Sequence, residues 1–273
     1  MYGAQFADHL RIMAALDDGP ATDRVLGAFA AVPREAFAGP GPWKYRSPHE
    51  GFTLPVRQTP DADPKWLYHA VLIVLDAEKG INVGDPGFWA RHFVSADIQP
   101  GTRLLQVGAG VGYYTAILAH LCGPEGQVVA YEVEPDLAAR AKANLAHVPN
   151  VEIRQGNAAT DLAGAETFDW VVAFAGLTHV PPAWPAHLAP DARLLVPLTG
   201  ENWWGAMILA TRGSGGFEAT TLGPVGVYPC AGARDDALAA EIAELFHDRE
   251  RLRDWRLRIS EDRSGPRIDP LDD

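Results

Sequence analysis

The chain predicts an α/β fold built on a doubly wound, mostly parallel sheet, and three observations carry that expectation. Between residues 101 and 198, short apolar runs alternate with stretches of helical spacing, the pattern of strand–helix units that pair in parallel. A glycine cluster stands at one strand-to-helix junction, in "LLQVGAGVGYY". The 273 residues are 47% hydrophobic and include eight Trp, enough to fill a sizeable core.

In chain order, helices are expected over residues 4–17 and 22–32. The passage "GPGPWKYRSPHEGFTLPVRQTPDADP" follows; proline fixes φ and removes a donor, so loop with at most edge strands is expected there. "KGINVG" (79–84) places two glycines around a short alternation, a poor strand and a good covering loop. In "DPGFWARHF", Asp85 and Pro86 make an N-cap and first turn, and Phe88, Trp89 and Phe93 share a buried face. "TRLLQV", "QVVAYEV", "VEIRQ", "FDWVVAFAG" and "ARLLVPL" read as strands; "GYYTAILAHLC", "PDLAARAKANLAHV" and "PPAWPAHLA" read as helices. "NWWGAMILATRG" and "GFEATTLGPVGVYPC", joined by "GSGG", form an antiparallel pair that closes the sheet. A final amphipathic helix, "DDALAAEIAELFHDRERL", leads to a loosely ordered polar tail. The basic stretch "HDRERLRDWRLR" is interleaved with acids and reads as a solvated helix face.

Composition excludes several classes of function. The net charge of −12 repels a phosphate backbone, so no nucleic-acid partner is expected. No apolar run approaches the ~20 residues of a membrane span, and the first twenty residues lack a signal-peptide pattern, which points to the cytoplasm. Cys122 and Cys230 are too few and too distant for a disulfide framework, and the nine His form no metal-ligand spacing, so no metal is expected.

Gly108, Gly110 and Gly112 follow a strand directly and open a helix. Glycines there let the backbone approach a ligand, and the helix N-terminus offers N–H groups to an anionic group. The dinucleotide pattern G-x-G-x-x-G needs glycine at 113, where the chain has Tyr113. Glu132 ends the next strand, where a carboxylate can accept hydrogen bonds from both ribose hydroxyls, with Val133 behind it. Asn157, followed by Ala158 in "QGNA", offers a carbonyl acceptor to an adenine amino group.

The G-x-G-x-G spacing, Ala109 included, resembles motif I of S-adenosylmethionine-dependent methyltransferases. Gln106 stands where that class is commonly acidic and can hold the glycine loop or the methionine amine through its amide oxygen. Together with "VPREAF" (32–37), "GYYTAILA" (112–119), "FDWVVAFAGLTHVPP" (168–182) and "RLLVPL" (193–198), the loop resembles the protein-L-isoaspartate O-methyltransferase family over residues 20–230. The resemblance implies a Rossmann-like fold, S-adenosyl-L-methionine as cofactor, and methyl transfer to a carboxylate of a protein or peptide. The chain is expected to divide into a helical and loop N-terminal cap over 1–99 that carries the substrate loop, a cofactor-binding core over 100–230, and a C-terminal helix and polar tail over 231–273.

A carboxylate acceptor is already ionised at neutral pH, so alignment and desolvation suffice and no catalytic base is required. An amine or hydroxyl would need one, and Asp85, His92 and His179 are the nominees. The family's acceptor loop, G-x-T-I-S-x-P, aligns with residues 80–86, so Asn82 replaces its Thr and Gly84 its Ser, while Ala70 replaces an upstream acid. Asn82, Val83 and Gly84 are therefore the substrate-binding candidates, through the Asn82 amide and the Gly84 N–H. Two alternatives remain at this stage: a methyltransferase for a small molecule or biosynthetic peptide, and a non-catalytic cofactor-binding or interaction module.

Overall fold

A computed structural model describes residues 2–48, 55–162, 164–247, 253–259 and 268–270. The chain divides into two compact units, one drawn from residues 1–101, 109–125 and 135–151, the other from residues 102–108, 126–134 and 152–273.

The first unit is mainly helical. Helices α1 (Tyr2–Met13) and α2 (Pro20–Ala31) approach at Gly3, where a Cβ would lie 2.1 Å from the Ala30 carbonyl oxygen. Phe6, Leu10 and Phe29 are buried between them. A short helix α3 (Glu35–Ala38) follows, then a small sheet of order β2–β1–β3–β4, formed by β1 (Lys44–Arg46), β2 (Arg57–Gln58), β3 (Leu72–Asp76) and β4 (Ile81–Asn82). The middle of "KGINVG", Ile81–Asn82, is thus a short strand rather than loop, while Lys79 and Gly80 form the turn before it. The apolar β3 offers a pairing edge, and the Val83 N–H extends the ladder to the Ile73 carbonyl at 2.9 Å. Helix α4 (Pro86–Ala96) begins as the sequence predicts, with the Asp85 carboxylate accepting from the Gly87 N–H at 3.0 Å and Pro86 in the first turn. Trp89 and Phe93 are buried, whereas Phe88 is half-exposed and packs against His92. Helices α5 (Tyr113–Cys122) and α6 (Pro135–Asn144) complete the unit.

The second unit carries a sheet of nine strands among the described residues, in the order β13–β12–β11–β10–β9–β8–β5–β6–β7. Strands β5 (Arg103–Val107), β6 (Gln127–Glu132), β8 (Phe168–Ala173) and β9 (Leu188–Thr199) pair in parallel, β5 with both β6 and β8, and β8 with β9; β7 (Val151–Gln155) lies beyond β6. The chain proceeds one way from β5 to β6 and β7 and the other way through β8 and β9. The β5 carboxyl end is therefore the switch point at which open α/β sheets bind ligands. Strands β10 (Trp204–Gly213) and β11 (Gly216–Gly226) form the expected antiparallel pair.

Two local expectations are corrected. "PPAWPAHLA" is not a helix but a single 3-10 turn at Pro185–His187 that enters β9 at Leu188. Its prolines lack the donors a helix needs, and Trp184, fully buried, anchors the turn by donating from Nε1 to the Ala158 carbonyl at 2.9 Å. After α7 (Asp236–Leu245), "RDWRLRI" forms strand β12 (Arg253–Ile259), paired with β11, not a solvated helix face. Leu257 and Ile259 are buried while Arg256 and Arg258 are exposed, an alternation of period two. Within the tail, β13 (Ile268–Pro270) pairs with β12; the rest of the tail lies outside the described residues.

Candidate functional site

At the carboxyl end of the parallel strands the second unit gathers Gln106, Gly108 and Glu132. The Gly108 N–H donates to the Tyr131 carbonyl, and the Phe174 N–H to the Val107 carbonyl, both at 2.9 Å. Gly108 is thereby set between β6 and β8, in the left-handed region at φ +87°, with the Phe174 Cβ 3.4 Å from where its own Cβ would stand. Gln106 is completely buried. Its Nε2 donates to the Gly108 carbonyl at 3.2 Å, so the amide nitrogen, not the oxygen, holds the glycine loop. Its Oε1 is buried with no hydrogen-bond partner. An unsatisfied buried acceptor costs about 1–3 kcal/mol, and it is the group a ligand amine would satisfy.

Glu132 is buried rather than surface-exposed, its Oε1 accepting from the Glu134 N–H at 3.0 Å in a local turn. Beside it Val133 is 47% exposed, an apolar side chain turned to solvent at a strand end. The Gly156 N–H reaches the Glu132 carbonyl at 3.0 Å, which brings "QGNA" alongside. Asn157, however, is already engaged: Oδ1 caps the Ala159 N–H at 2.9 Å and Nδ2 donates to the Ala231 carbonyl at 3.0 Å. Only the second lone pair of that oxygen is left for an adenine amine. Ala158 is buried beneath the turn.

From Ala109 the loop continues in the first unit. Ala109 is buried, and Gly110 adopts φ +57° with nothing within 4 Å of where its Cβ would be. Gly112, at φ +91°, is the N-cap of α5; a Cβ there would lie 2.6 Å from Leu145 Cδ1, so this glycine serves close packing on the end of α6. The Asn144 side chain holds the loop by donating to the Val111 carbonyl at 2.9 Å.

The acceptor-loop candidates are folded onto one another. Asn82 Oδ1 accepts the Gly84 N–H at 2.9 Å, and Asn82 Nδ2 donates to the Gly80 carbonyl at 3.1 Å. The Gly84 N–H, which the sequence offered as an anion donor, is therefore taken by Asn82: a short amide side chain two residues upstream closes an Asx turn. Val83 is buried below. Gly84 itself, at φ +33°, faces Trp89, whose Nε1 would be 2.8 Å from a Cβ, and its carbonyl accepts from the Tyr114 hydroxyl at 3.3 Å.

Sequence reasoning missed Arg34, the Arg of "VPREAF". Its guanidinium is buried, donates to the carbonyls of Leu67, His69 and Val71, and lies over the rings of Phe6 and Tyr113 at 5.5 and 5.4 Å. It thus ties the segment before β3 to the first residue of α5; the motif signalled importance without its contacts. The nominated bases have other employment. Asp85 caps α4, the His92 Nδ1 lies 2.7 Å from the Phe88 carbonyl, and the His179 Nδ1 lies 3.0 Å from the Thr178 hydroxyl. Burial holds the His179 pKa below the usual imidazole value.

The sequence model of the family described as protein-L-isoaspartate(D-aspartate) O-methyltransferase matches residues 9–229. A protein-L-isoaspartate O-methyltransferase of Methylorubrum extorquens is 31% identical over 75% of this chain and 79% of its own length. Protein-L-isoaspartate O-methyltransferase 1 of Anaeromyxobacter sp. is 40% identical over 48% of this chain, a match that spans 62% of that relative. Among solved structures, one described as a protein-L-isoaspartate O-methyltransferase from Plasmodium falciparum, in complex with S-adenosyl-L-homocysteine, superposes with a TM-score of 0.62 at 17% identity, over 84% of this chain and 98% of that one. That likeness establishes the shared fold.

Proposed function

This chain belongs to the protein-L-isoaspartate(D-aspartate) O-methyltransferase family, and from that premise we propose that it transfers a methyl group from S-adenosyl-L-methionine to a carboxylate oxygen on a protein or peptide. The cofactor supplies a methyl group activated by a sulfonium. Gln106 carries the assignment: its buried, unpartnered Oε1, next to a left-handed glycine, is an acceptor suited to an ammonium. Gly110, with open space where a Cβ would stand, lets the loop backbone come close to the cofactor. Glu132 would accept from the ribose hydroxyls, Val133 would cover one face of the adenine, and Asn157 with Ala158 would border its edge.

On the acceptor side, Asn82, Val83 and Gly84 would align the carboxylate. A carboxylate carries no proton to remove in the neutral range, which agrees with the engagement of Asp85, His92 and His179 elsewhere. The residues have to orient the oxygen and exclude water, and nothing more.

The test pairs calorimetry of S-adenosyl-L-homocysteine binding with methyl transfer to a peptide holding one isoaspartyl residue, beside its aspartyl control and a panel of other acceptors. A base-labile methyl ester on the isoaspartyl peptide is expected. Cofactor binding with no methyl transfer to any acceptor of the panel would leave a binding module instead. One observation favours a second reading, in which the acceptor is a small molecule or a biosynthetic peptide: the Gly84 N–H is already taken by Asn82, so an isoaspartyl carboxylate loses one donor.

A further inference from the structure

Resting on the methyltransferase reading, we propose that Tyr114 is the positioning residue of the acceptor loop, its hydroxyl holding the peptide at Gly84 so that Asn82 presents its carboxamide to the acceptor in a fixed orientation. The observations all lie within the first unit. Tyr114 is the second residue of α5, the helix that the last glycine of the cofactor loop caps. Its ring stands in an aromatic cluster, 5.7 Å from Trp89, 6.2 Å from Phe93 and 6.4 Å from Phe29. A phenylalanine would fill that space equally well; the added hydroxyl must be desolvated to enter it, and it is satisfied on the Gly84 carbonyl at 3.3 Å.

The peptide at position 84 is consequently constrained from three directions. Asn82 takes its N–H, Tyr114 takes its carbonyl, and Trp89 stands where a side chain would project. Asn82 is held by the same turn through Oδ1 to Gly84 and Nδ2 to Gly80, which leaves the second Nδ2 hydrogen as the side-chain donor it can offer to an acceptor oxygen. Burial raises the Tyr114 pKa well above its ordinary value, so the hydroxyl keeps its proton and donates throughout the neutral range. Releasing the Gly84 carbonyl would allow the turn to rotate and Asn82 to lose its aim. Acceptor binding would suffer, while the cofactor groups of the second unit would not.

Tyr114→Phe removes the hydroxyl and keeps the ring. With the isoaspartyl peptide as acceptor, KM for the peptide should rise about five-fold, as expected for the loss of one hydrogen bond that orients a binding group, with kcat and the affinity for S-adenosyl-L-homocysteine changed by less than about two-fold. Trp89→Phe, which leaves the hydroxyl in place, should raise the peptide KM less than Tyr114→Phe does. An unchanged peptide KM in Tyr114→Phe overturns the inference. So does a parallel loss of melting temperature, cofactor affinity and turnover, which would mark Tyr114 as a core residue only. If the unsubstituted protein binds S-adenosyl-L-homocysteine but esterifies no carboxylate, the methyltransferase reading fails first and this inference goes with it.

Discussion

The glycine loop and the acceptor loop use the same residue type for opposite ends. At Gly110 a Cβ would meet nothing within 4 Å, and four residues upstream Gln106, in β5, keeps an unpartnered oxygen. At Gly84 a Cβ would meet Trp89 at 2.8 Å, and both the N–H and the carbonyl are bonded within the protein. Glycine in the first loop leaves open space, which the proposed function gives to the cofactor; glycine in the second leaves room for the protein itself. In the proposed assignment, the cofactor segment would be built around groups the polypeptide does not satisfy, whereas the acceptor loop would be a self-satisfied turn whose selectivity rests on which few donors remain.

Four measurements can break or sharpen that contrast. The largest effect is expected at Glu132, a buried carboxylate at a strand end. Glu132→Ala should weaken S-adenosyl-L-homocysteine binding about 10–100-fold by calorimetry, the range for hydrogen bonds to a charged group; unchanged affinity would remove the cofactor assignment. Next comes Gly84→Ala, which forces a methyl group against the Trp89 ring and should cost about 1–3 kcal/mol in denaturant unfolding while leaving cofactor affinity in place. Gly110→Ala should do the reverse. It meets no steric clash and pays only about 1–2 kcal/mol for the left-handed backbone, yet it should weaken cofactor binding by more than Gly84→Ala does. Equal effects of the two substitutions on both readouts would erase the contrast between the loops.

The smallest effect is on pH. A carboxylate acceptor is ionised across the neutral range, so kcat/KM should be flat from about pH 6.5 to 8.5, and a unit slope there would mean that a proton leaves the acceptor. Burial depresses the pKa of His69 and of His179. Both therefore titrate in the folded protein below that window. The sign for stability follows: the unfolded chain takes up these protons first, so the contribution is intact above the ordinary histidine value of about 6.5 and is lost as pH falls through the lower folded pKa values. Melting temperature should decline on acidification below about pH 6.5, less so in His179→Asn.

Periodicity and punctuation made most of the scaffold legible. The β5–α5 and β6–α6 boundaries, the Asp85–Pro86 helix start and the antiparallel pair were readable because each depends on neighbours within a few residues. The β12 strand was hidden by its charges. In "WRLRI" the arginines that suggested a solvated helix are the outward half of a strand whose inward half, Leu257 and Ile259, is buried. "PPAWPAHLA" looked helical by its apolar spacing, but three prolines and the anchoring of Trp184 on Ala158 prevailed.

By itself the sequence determined the fold class, the family resemblance and the positions of the left-handed glycines after β5, since glycine placement after a strand is a local requirement of φ and Cβ volume. Only the tertiary structure decided how the polar groups at those positions are used. It put the Gln106 amide nitrogen on the glycine loop and left the oxygen unpaired; it committed the Asn157 amide to the Ala159 and Ala231 backbone; it bound the Gly84 N–H to Asn82 and the Gly84 carbonyl to Tyr114, thirty residues along the chain. The reason is physical. A hydrogen bond is made by whichever donor and acceptor the folded chain brings within about 3 Å, and that proximity is a property of packing which no single stretch of residues contains.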